Sequence, residues 1–310
     1  MRFKRILPFA FLGMTLSASY AQNLDSLMAA EEANNKPQPV TATFKTTRLV
    51  NLQTIEQVKQ GELDFRITHR FDDIAGTSGG ISTLYGFDNV TDIRIAFDYG
   101  VKDWWTIGFG RSKGAYERRQ IVDLNSKIKL VTQKQKGGAP ISASLYFAAE
   151  IATMHSSSDV TSVNYFKENG FYRVNYVSQL LLARKFGSRL SIILSPTFVY
   201  RNLVNYKENN ATFALGAGIR YKFTKRVGLI VDYFQTFDSY INSANGFRAP
   251  LGVGIELETG GHVFHLLFSN NSGLLESQYI TANKQDWAKG QFRFGFNISR
   301  VFTVAKRHDD

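Results

Sequence analysis

The chain has 310 residues, 44% of them hydrophobic and 14% aromatic, with no cysteine and a formal charge of +11. No apolar run reaches the roughly 18 residues that a membrane helix needs, and the lack of cysteine excludes a disulfide scaffold, a cysteine-linked lipid anchor and thiolate chemistry. The positive charge comes without a Lys/Arg-rich run or a recognition helix, which argues against nucleic acid and for basic loops meeting anionic lipid headgroups.

Residues 1–21 read as a secretory signal peptide. Arg2, Lys4 and Arg5 form a positive start, residues 6–16 are apolar, and Ser19-Tyr20-Ala21 places small residues where a signal peptidase reads. The predicted destination lies beyond the inner membrane of a Gram-negative cell. Residues 22–60 are a polar lead-in. Residues 24–33 suit a short helix, and Pro37 and Pro39 mark a linker. Leu49, Val50, Leu52 and Ile55 then follow without clean alternation. This lead-in is expected on the periplasmic side, as a short extra strand or a partial plug in the barrel mouth.

From Gly61 the hydrophobicity alternates with a period of two, the signature of a strand with different solvents on its faces. In 61–71, Leu63, Phe65 and Ile67 oppose Asp64, Arg66 and Thr68. In 90–101, Ile93, Ile95 and Phe97 oppose Asp92, Arg94 and Asp98. The pattern returns over 104–111, 121–133, 141–153, 171–186, 190–203, 211–223, 227–237, 251–258 and 262–269. It closes over 290–302, where Phe292, Phe294, Phe296 and Ile298 oppose Arg293, Gly295, Asn297 and Ser299. This predicts about twelve strands, each near the 9–11 residues that a tilted membrane strand needs. Short connections follow the even strands and longer ones the odd strands, as in an outer-membrane barrel with short periplasmic turns and long extracellular loops. The predicted fold is therefore all-β: a transmembrane, antiparallel, up-and-down β-barrel over 61–304, with a periplasmic tail over 305–310. The register is set by energy, because a Lys or Arg on the lipid face costs about 2–4 kcal/mol near the midplane.

The segments Thr43-Phe44-Lys45-Thr46-Thr47-Arg48-Leu49-Val50-Asn51, Ile67-Thr68-His69-Arg70-Phe71, Phe97-Asp98-Tyr99-Gly100, Gly108-Phe109-Gly110-Arg111-Ser112 and Phe294-Gly295-Phe296-Asn297-Ile298-Ser299-Arg300-Val301-Phe302 carry a resemblance. Together they make the chain similar to a family of uncharacterised bacterial outer-membrane β-barrel proteins. The resemblance implies a barrel in the cell outer membrane, no assigned activity and no catalytic residues.

The residues themselves offer little catalytic chemistry. A lipid-face hydrolase needs Ser and His on neighbouring strands, both on the outer parity. His69 has that parity, but neither adjoining strand start offers an outward Ser, so it reads as an interfacial histidine. His155 lies beside Ser156, Ser157 and Ser158, which makes no triad. His262 and His265 are joined by no other ligand cluster. No catalytic, cofactor or metal residue is assigned, and no enzyme activity is expected.

The informative surface is the lumen. Candidate lumen-lining residues are Asp64, Arg66, Asp92, Arg94, Asp98, Lys127, Glu150, Arg173, Arg220, Asp232, Glu256 and Arg293. A strongly selective ion pore would show one dominant sign, whereas these signs are nearly balanced and suit ion-pair lattices across a narrow barrel. Val177, Leu181, Ile193, Val199, Ile230 and Phe234 also point inward and call for apolar cover. Either the lead-in or loop 72–89, with Ile81, Leu84, Tyr85 and Phe87, is expected to supply it; a hydrophobic cargo is the alternative. The function read from this is a narrow or plugged channel for small solutes. A structural or interaction subunit of an envelope complex stays open as an alternative, with an outer-membrane hydrolase more distant. The expected partners are outer-membrane lipid and lipopolysaccharide, and an envelope protein reached through the lead-in.

Overall fold

The computed structural model describes residue 26 and residues 37–88, 90–114 and 116–305. The proposed signal peptide and most of the 24–33 helix lie outside the described residues. Twelve antiparallel strands form a closed barrel in which each strand pairs with its sequence neighbours and β1 closes on β12. The strands are β1 (Glu62–Asp73), β2 (Val90–Lys102), β3 (Trp105–Lys113), β4 (Gln120–Val131), β5 (Ser142–Ala152) and β6 (Val174–Phe186). They continue as β7 (Leu190–Arg201), β8 (Ala211–Lys222), β9 (Val227–Phe237), β10 (Leu251–Thr259), β11 (His262–Ser269) and β12 (Arg293–Thr303).

Closure removes every free strand edge, so the backbone N–H and C=O groups of the wall pair between neighbouring strands apart from local register breaks, as between Arg70 and Asp73. The alternation in sequence becomes alternation in burial. On β1, Asp64, Arg66, Thr68 and Arg70 are buried, while Leu63, Phe65 and Ile67 are half-exposed. On β2, Asp92, Arg94 and Asp98 are buried and Ile93, Ile95 and Phe97 are exposed. On these two strands polar groups face the interior and apolar groups the outside, the reverse of a soluble protein, while β6, β7 and β9 also turn apolar residues inward. Cross-strand rings pack along the outer face, as with Phe65 on Phe97 (5.2 Å) and Phe198 on Phe213 (4.9 Å).

The connections differ in length between the two ends, with 132–141 between β4 and β5 the one longer connection at the turn end. One end carries short turns, such as Gly260-Gly261 between β10 and β11. The other end carries the long segments 74–89, 114–119, 153–173, 202–210, 238–250 and 270–292. Three details depart from the sequence reading. Residues 170–173 form a 3-10 turn, so β6 begins at Val174. β12 begins at Arg293, because residues 287–289 form another 3-10 turn. Loop 74–89 does not enter the barrel, and segment 270–283, which reads as a surface loop, does.

Candidate functional site: a filled lumen

The lead-in enters from the turn end, and residues 43–55 are buried except for the half-buried Lys45. Its path is a tight hairpin: Arg48 bridges Gln53, and the Leu49 N–H donates to the Leu52 carbonyl at 2.8 Å. An irregular backbone inside a barrel must find its hydrogen bonds in the wall. Asp232 of β9 accepts from the Asn51 N–H at 2.6 Å, the Leu52 N–H at 2.8 Å and the Asn51 amide at 3.2 Å. Asn297 of β12 donates to the Leu49 and Val50 carbonyls, both at 3.2 Å. Arg70 reaches the Val50 carbonyl at 3.1 Å, and Lys127 reaches the Thr47 carbonyl at 3.1 Å. Ser191 donates to the Thr43 carbonyl at 2.6 Å, and Thr106 accepts from the Val58 N–H at 3.1 Å.

The apolar part of the hairpin finds the inward apolar patch. Phe44, Leu49, Val50, Leu52 and Ile55 join one buried cluster with Val177, Leu181, Ile193, Val199, Ile230 and Phe234. Burying such a side chain is worth about 1.5–3 kcal/mol. Space for it comes from Gly216 and Gly218 of β8. A Cβ on Gly218 would lie 2.6 Å from Leu49 Cδ1 and 2.8 Å from Leu52 Cδ2, and one on Gly216 would lie 2.9 Å from Leu52 Cδ1.

A second insert comes from the loop end. Segment 270–283 folds inward and carries α1 (Glu276–Thr281), all six residues of which are buried. The two inserts meet. Arg48 Nη2 lies 2.9 Å from Glu276 Oε1, Gln53 donates to the same carboxylate at 3.3 Å, and the Asn51 and Asn271 amides bond at 3.3 Å. The wall holds α1 through Glu150, which accepts from the Ser277 N–H at 3.2 Å and from its hydroxyl, and through Asn175, which donates to Ser277 Oγ at 3.0 Å. The Tyr279 ring packs 5.1 Å from Phe234. The sequence reading missed this insert. Its signal was the apolar spacing Leu274, Leu275, Tyr279, Ile280 inside an otherwise polar loop.

Eleven of the candidate lumen residues are buried: Asp64, Arg66, Asp92, Arg94, Asp98, Lys127, Glu150, Arg220, Asp232, Glu256 and Arg293. Several pair across or along strands: Arg66 with Asp64 at 2.5 Å, Arg94 with Asp123 at 2.5 Å, and Arg220 with Glu256 at 2.6 Å. Others serve the inserts, as Lys127, Glu150 and Asp232 do. Arg173 differs. It sits in the 3-10 turn ahead of β6, half-buried, where its guanidinium lies 4.4 Å from the Phe166 ring and donates to the Ala152 and Met154 carbonyls. The turn takes it off the strand parity on which its inward placement rested.

Two clefts remain. One of about 280 Å³ opens at the loop end above α1, lined among others by Tyr116, Arg118, Asn175, Arg201, Gln278 and Lys284. One of about 350 Å³ opens at the turn end beside Glu56, Gln57, Lys129 and Ser144. They share no lining residue, and the two inserts lie between them. At the loop-end rim, Arg248 pairs with Asp286 at 2.8 Å. The hydrogen bond from Arg248, and a second from the Ala288 N–H, hold the Asp286 carboxyl below its ordinary range.

Two buried histidines sit against wall side chains. His69 lies against Phe71 (4.7 Å) and stacks on Phe296 (5.3 Å). His265 Nε2 lies 3.3 Å from Glu256. Among the described residues no group of three or more His, Asp or Glu converges as a metal site.

A membrane-facing wall around a packed polar lumen is the architecture of a barrel set in lipid. The profile of a family described as a membrane-bound beta barrel domain (DUF5777) matches residues 44–302. The chain belongs to this family. The match begins in the lead-in, so hairpin and wall fall within one family unit. No curated protein matches the sequence. Among solved structures, this membrane-bound barrel is similar to the KdgM porin (11% identity, TM-score 0.47, covering 78% of this chain and 99% of that one). It is also similar to an outer membrane channel from Pseudomonas putida F1 (12%, TM-score 0.47, 80% and 98%). A third likeness is to outer membrane phospholipase A from Escherichia coli (10%, TM-score 0.42, 83% and 95%).

Proposed function

We propose that this protein is an outer-membrane barrel acting as a plugged channel for small solutes, closed at rest by its own lead-in and by segment 270–283. The observation that carries the reading is the hairpin of residues 43–55 buried in the lumen and bound to a second insert from the opposite end. Twelve strands enclose more room than an eight-stranded barrel, whose interior side chains alone fill. In a barrel of this width the inserts add to the closure that wall side chains provide. The signal-like residues 1–21 support export, and in this reading the short turns and the lead-in face the periplasm and the long loops the outside. Residues 37–42, at the turn-end rim, are where an envelope partner would take hold.

A second reading, a permanently closed structural or interaction barrel, is favoured by the number of wall groups that hold the hairpin. One experiment separates the two. An ideal Cβ on Gly252 of β10 would lie 2.8 Å from Val50 Cβ, closer than the ~3.8 Å of a disulfide, so a small relaxation lets the pair bridge. The paired variant Val50→Cys/Gly252→Cys, in a chain with no other cysteine, would tether the hairpin. A plugged channel shows rare, voltage-induced openings in planar bilayers that oxidation of this variant abolishes and reduction restores. A structural barrel shows no openings in either state. Openings unaffected by the tether would refute conduction through the hairpin's path.

A further inference from the structure

We infer that the β1–β2 loop is a lipid anchor: its apolar tip, Ile81, Leu84, Tyr85 and Phe87, enters the acyl-headgroup boundary of the bilayer at the loop end of the barrel. This goes beyond the channel reading and is independent of it, because it needs only the membrane-bound barrel.

The sequence sets this loop apart. No charged residue falls between Asp73 and Asp88, whereas every other long connection at this end carries at least one. Segment 202–210 has Lys207 and Glu208, and segment 238–250 has Asp238 and Arg248. The apolar side chains are then left uncovered. Ile81 is 82% exposed, Leu84 56%, Tyr85 48% and Phe87 45%. A contiguous exposed apolar patch marks an interaction surface.

The loop is built to hold these groups outward. Leu84 and Tyr85 both adopt left-handed backbone conformations, φ +46° and +53°, which side chains other than glycine rarely take. The Tyr85 N–H donates to the Gly80 carbonyl at 2.8 Å, and the Gly80 N–H to the Ile74 carbonyl at 2.8 Å. Gly86, at φ +85°, is buried against the wall, where a Cβ would lie 2.4 Å from the Asp72 carbonyl oxygen. The backbone is therefore seated on the barrel rim while its large side chains face away. A loop meant for water or for the lumen has no need of this arrangement.

What covers the patch follows from its continuity with the wall. The Phe87 ring lies 5.0 Å from Phe71 and 5.6 Å from Phe294. Both are on the outer parity of β1 and β12, the two strands that close the barrel. Phe294 in turn meets Phe268 of β11 at 5.7 Å. The loop tip thus extends the lipid-facing aromatic band by one layer beyond the strands, at the closing seam. Aromatic rings at that level are the ordinary interfacial anchors of membrane barrels. The same solvent that covers Phe71 and Phe294 covers the tip.

The test uses the absence of cysteine. Leu84→Cys and Ile81→Cys, made singly in the full-length protein, are spin-labelled and reconstituted in phosphatidylcholine vesicles. Their accessibility to dissolved oxygen is compared with that to a water-soluble nickel chelate. A label at Phe294→Cys gives the lipid reference and one at Tyr206→Cys, in a charged loop where Tyr206 is 90% exposed, the aqueous reference. The expected result is a high oxygen-to-nickel ratio at both tip positions, near the lipid reference. Ratios matching Tyr206→Cys would overturn the inference. So would low accessibility to both reagents, which would mean that protein, either a second copy or this chain, covers the tip.

Discussion

Replacing Asp232 with alanine should undock the hairpin tip while leaving the barrel intact. The carboxylate accepts three donors, the Asn51 N–H at 2.6 Å, the Leu52 N–H at 2.8 Å and the Asn51 side-chain amide at 3.2 Å. All three groups are buried, and Asp232 itself is 1% exposed. A buried donor left without its acceptor costs about 1–3 kcal/mol. Water can enter the space that the shortened side chain vacates, which favours the low end for each donor and gives about 2–3 kcal/mol in total. At tenfold per 1.4 kcal/mol, this is a rise of about 30- to 140-fold in the population of the released tip. Amide hydrogen exchange of the reconstituted protein, resolved over residues 48–54, reads that population directly. Asp232→Ala should speed exchange of the Asn51 and Leu52 amides by that factor, with β8, β9 and β10 unchanged. Asp232→Asn, which keeps one acceptor oxygen, should fall between. Exchange at residues 51 and 52 within twofold of the parent would refute the claim that Asp232 holds the tip.

The Arg48–Glu276 contact joins the two inserts, and losing one member of a buried pair costs about 3–5 kcal/mol. Arg48→Ala and Glu276→Ala should each lower the temperature at which the folded, fast-migrating form is lost on gels. The double variant Arg48→Met/Glu276→Leu should recover much of the loss; equal loss in all three would show that the pairing is immaterial. At the rim, the Asp286 carboxyl is held below its ordinary value by Arg248. Its stabilisation of segment 284–292 is therefore complete above about pH 4 and disappears as the pH falls through that lower value. Trp287, which stacks on Phe292 at 4.6 Å, reports this in a Trp104→Phe/Trp105→Phe background. Its emission should stay constant from pH 7 to 5 and shift only below about pH 4, and Asp286→Asn should abolish the transition; a shift between pH 5 and 6 would contradict the assignment.

The wall was legible in the sequence because each strand faces two solvents, and a one-residue slip would exchange Asp64 and Arg66 for Leu63 and Phe65. Strand ends were less legible. Phe171 to Arg173 continue the alternation on paper, but Asn169 caps a 3-10 turn by accepting from the Phe171 N–H, which takes Arg173 off the parity of β6. The lumen contents were legible only in part. Leu49, Val50, Leu52 and Ile55 marked the lead-in as something to be buried, and the inward apolar residues of β6, β7 and β9 marked where. Loop 72–89 carried the same apolar mark, yet its residues 81–87 lie outside. In a membrane barrel an apolar segment has two places to hide, the lumen and the lipid, and composition does not distinguish them. Segment 270–283 shows the converse. Its polar residues suggested a surface loop, but Glu276, Ser277 and Asn271 are satisfied by Arg48, Glu150 and Asn51, partners far away in sequence that no local pattern announces.

Conductance in planar bilayers bears most directly on the hairpin as the closure. The intact protein should conduct little at low voltage, and a variant lacking residues 37–58, which also takes Arg48, Asn51 and Gln53 from segment 270–283, should open channels of larger conductance, since the wall around Gly216 and Gly218 would then face water. A large steady conductance in the intact protein, unchanged by removal of those residues, would contradict the account.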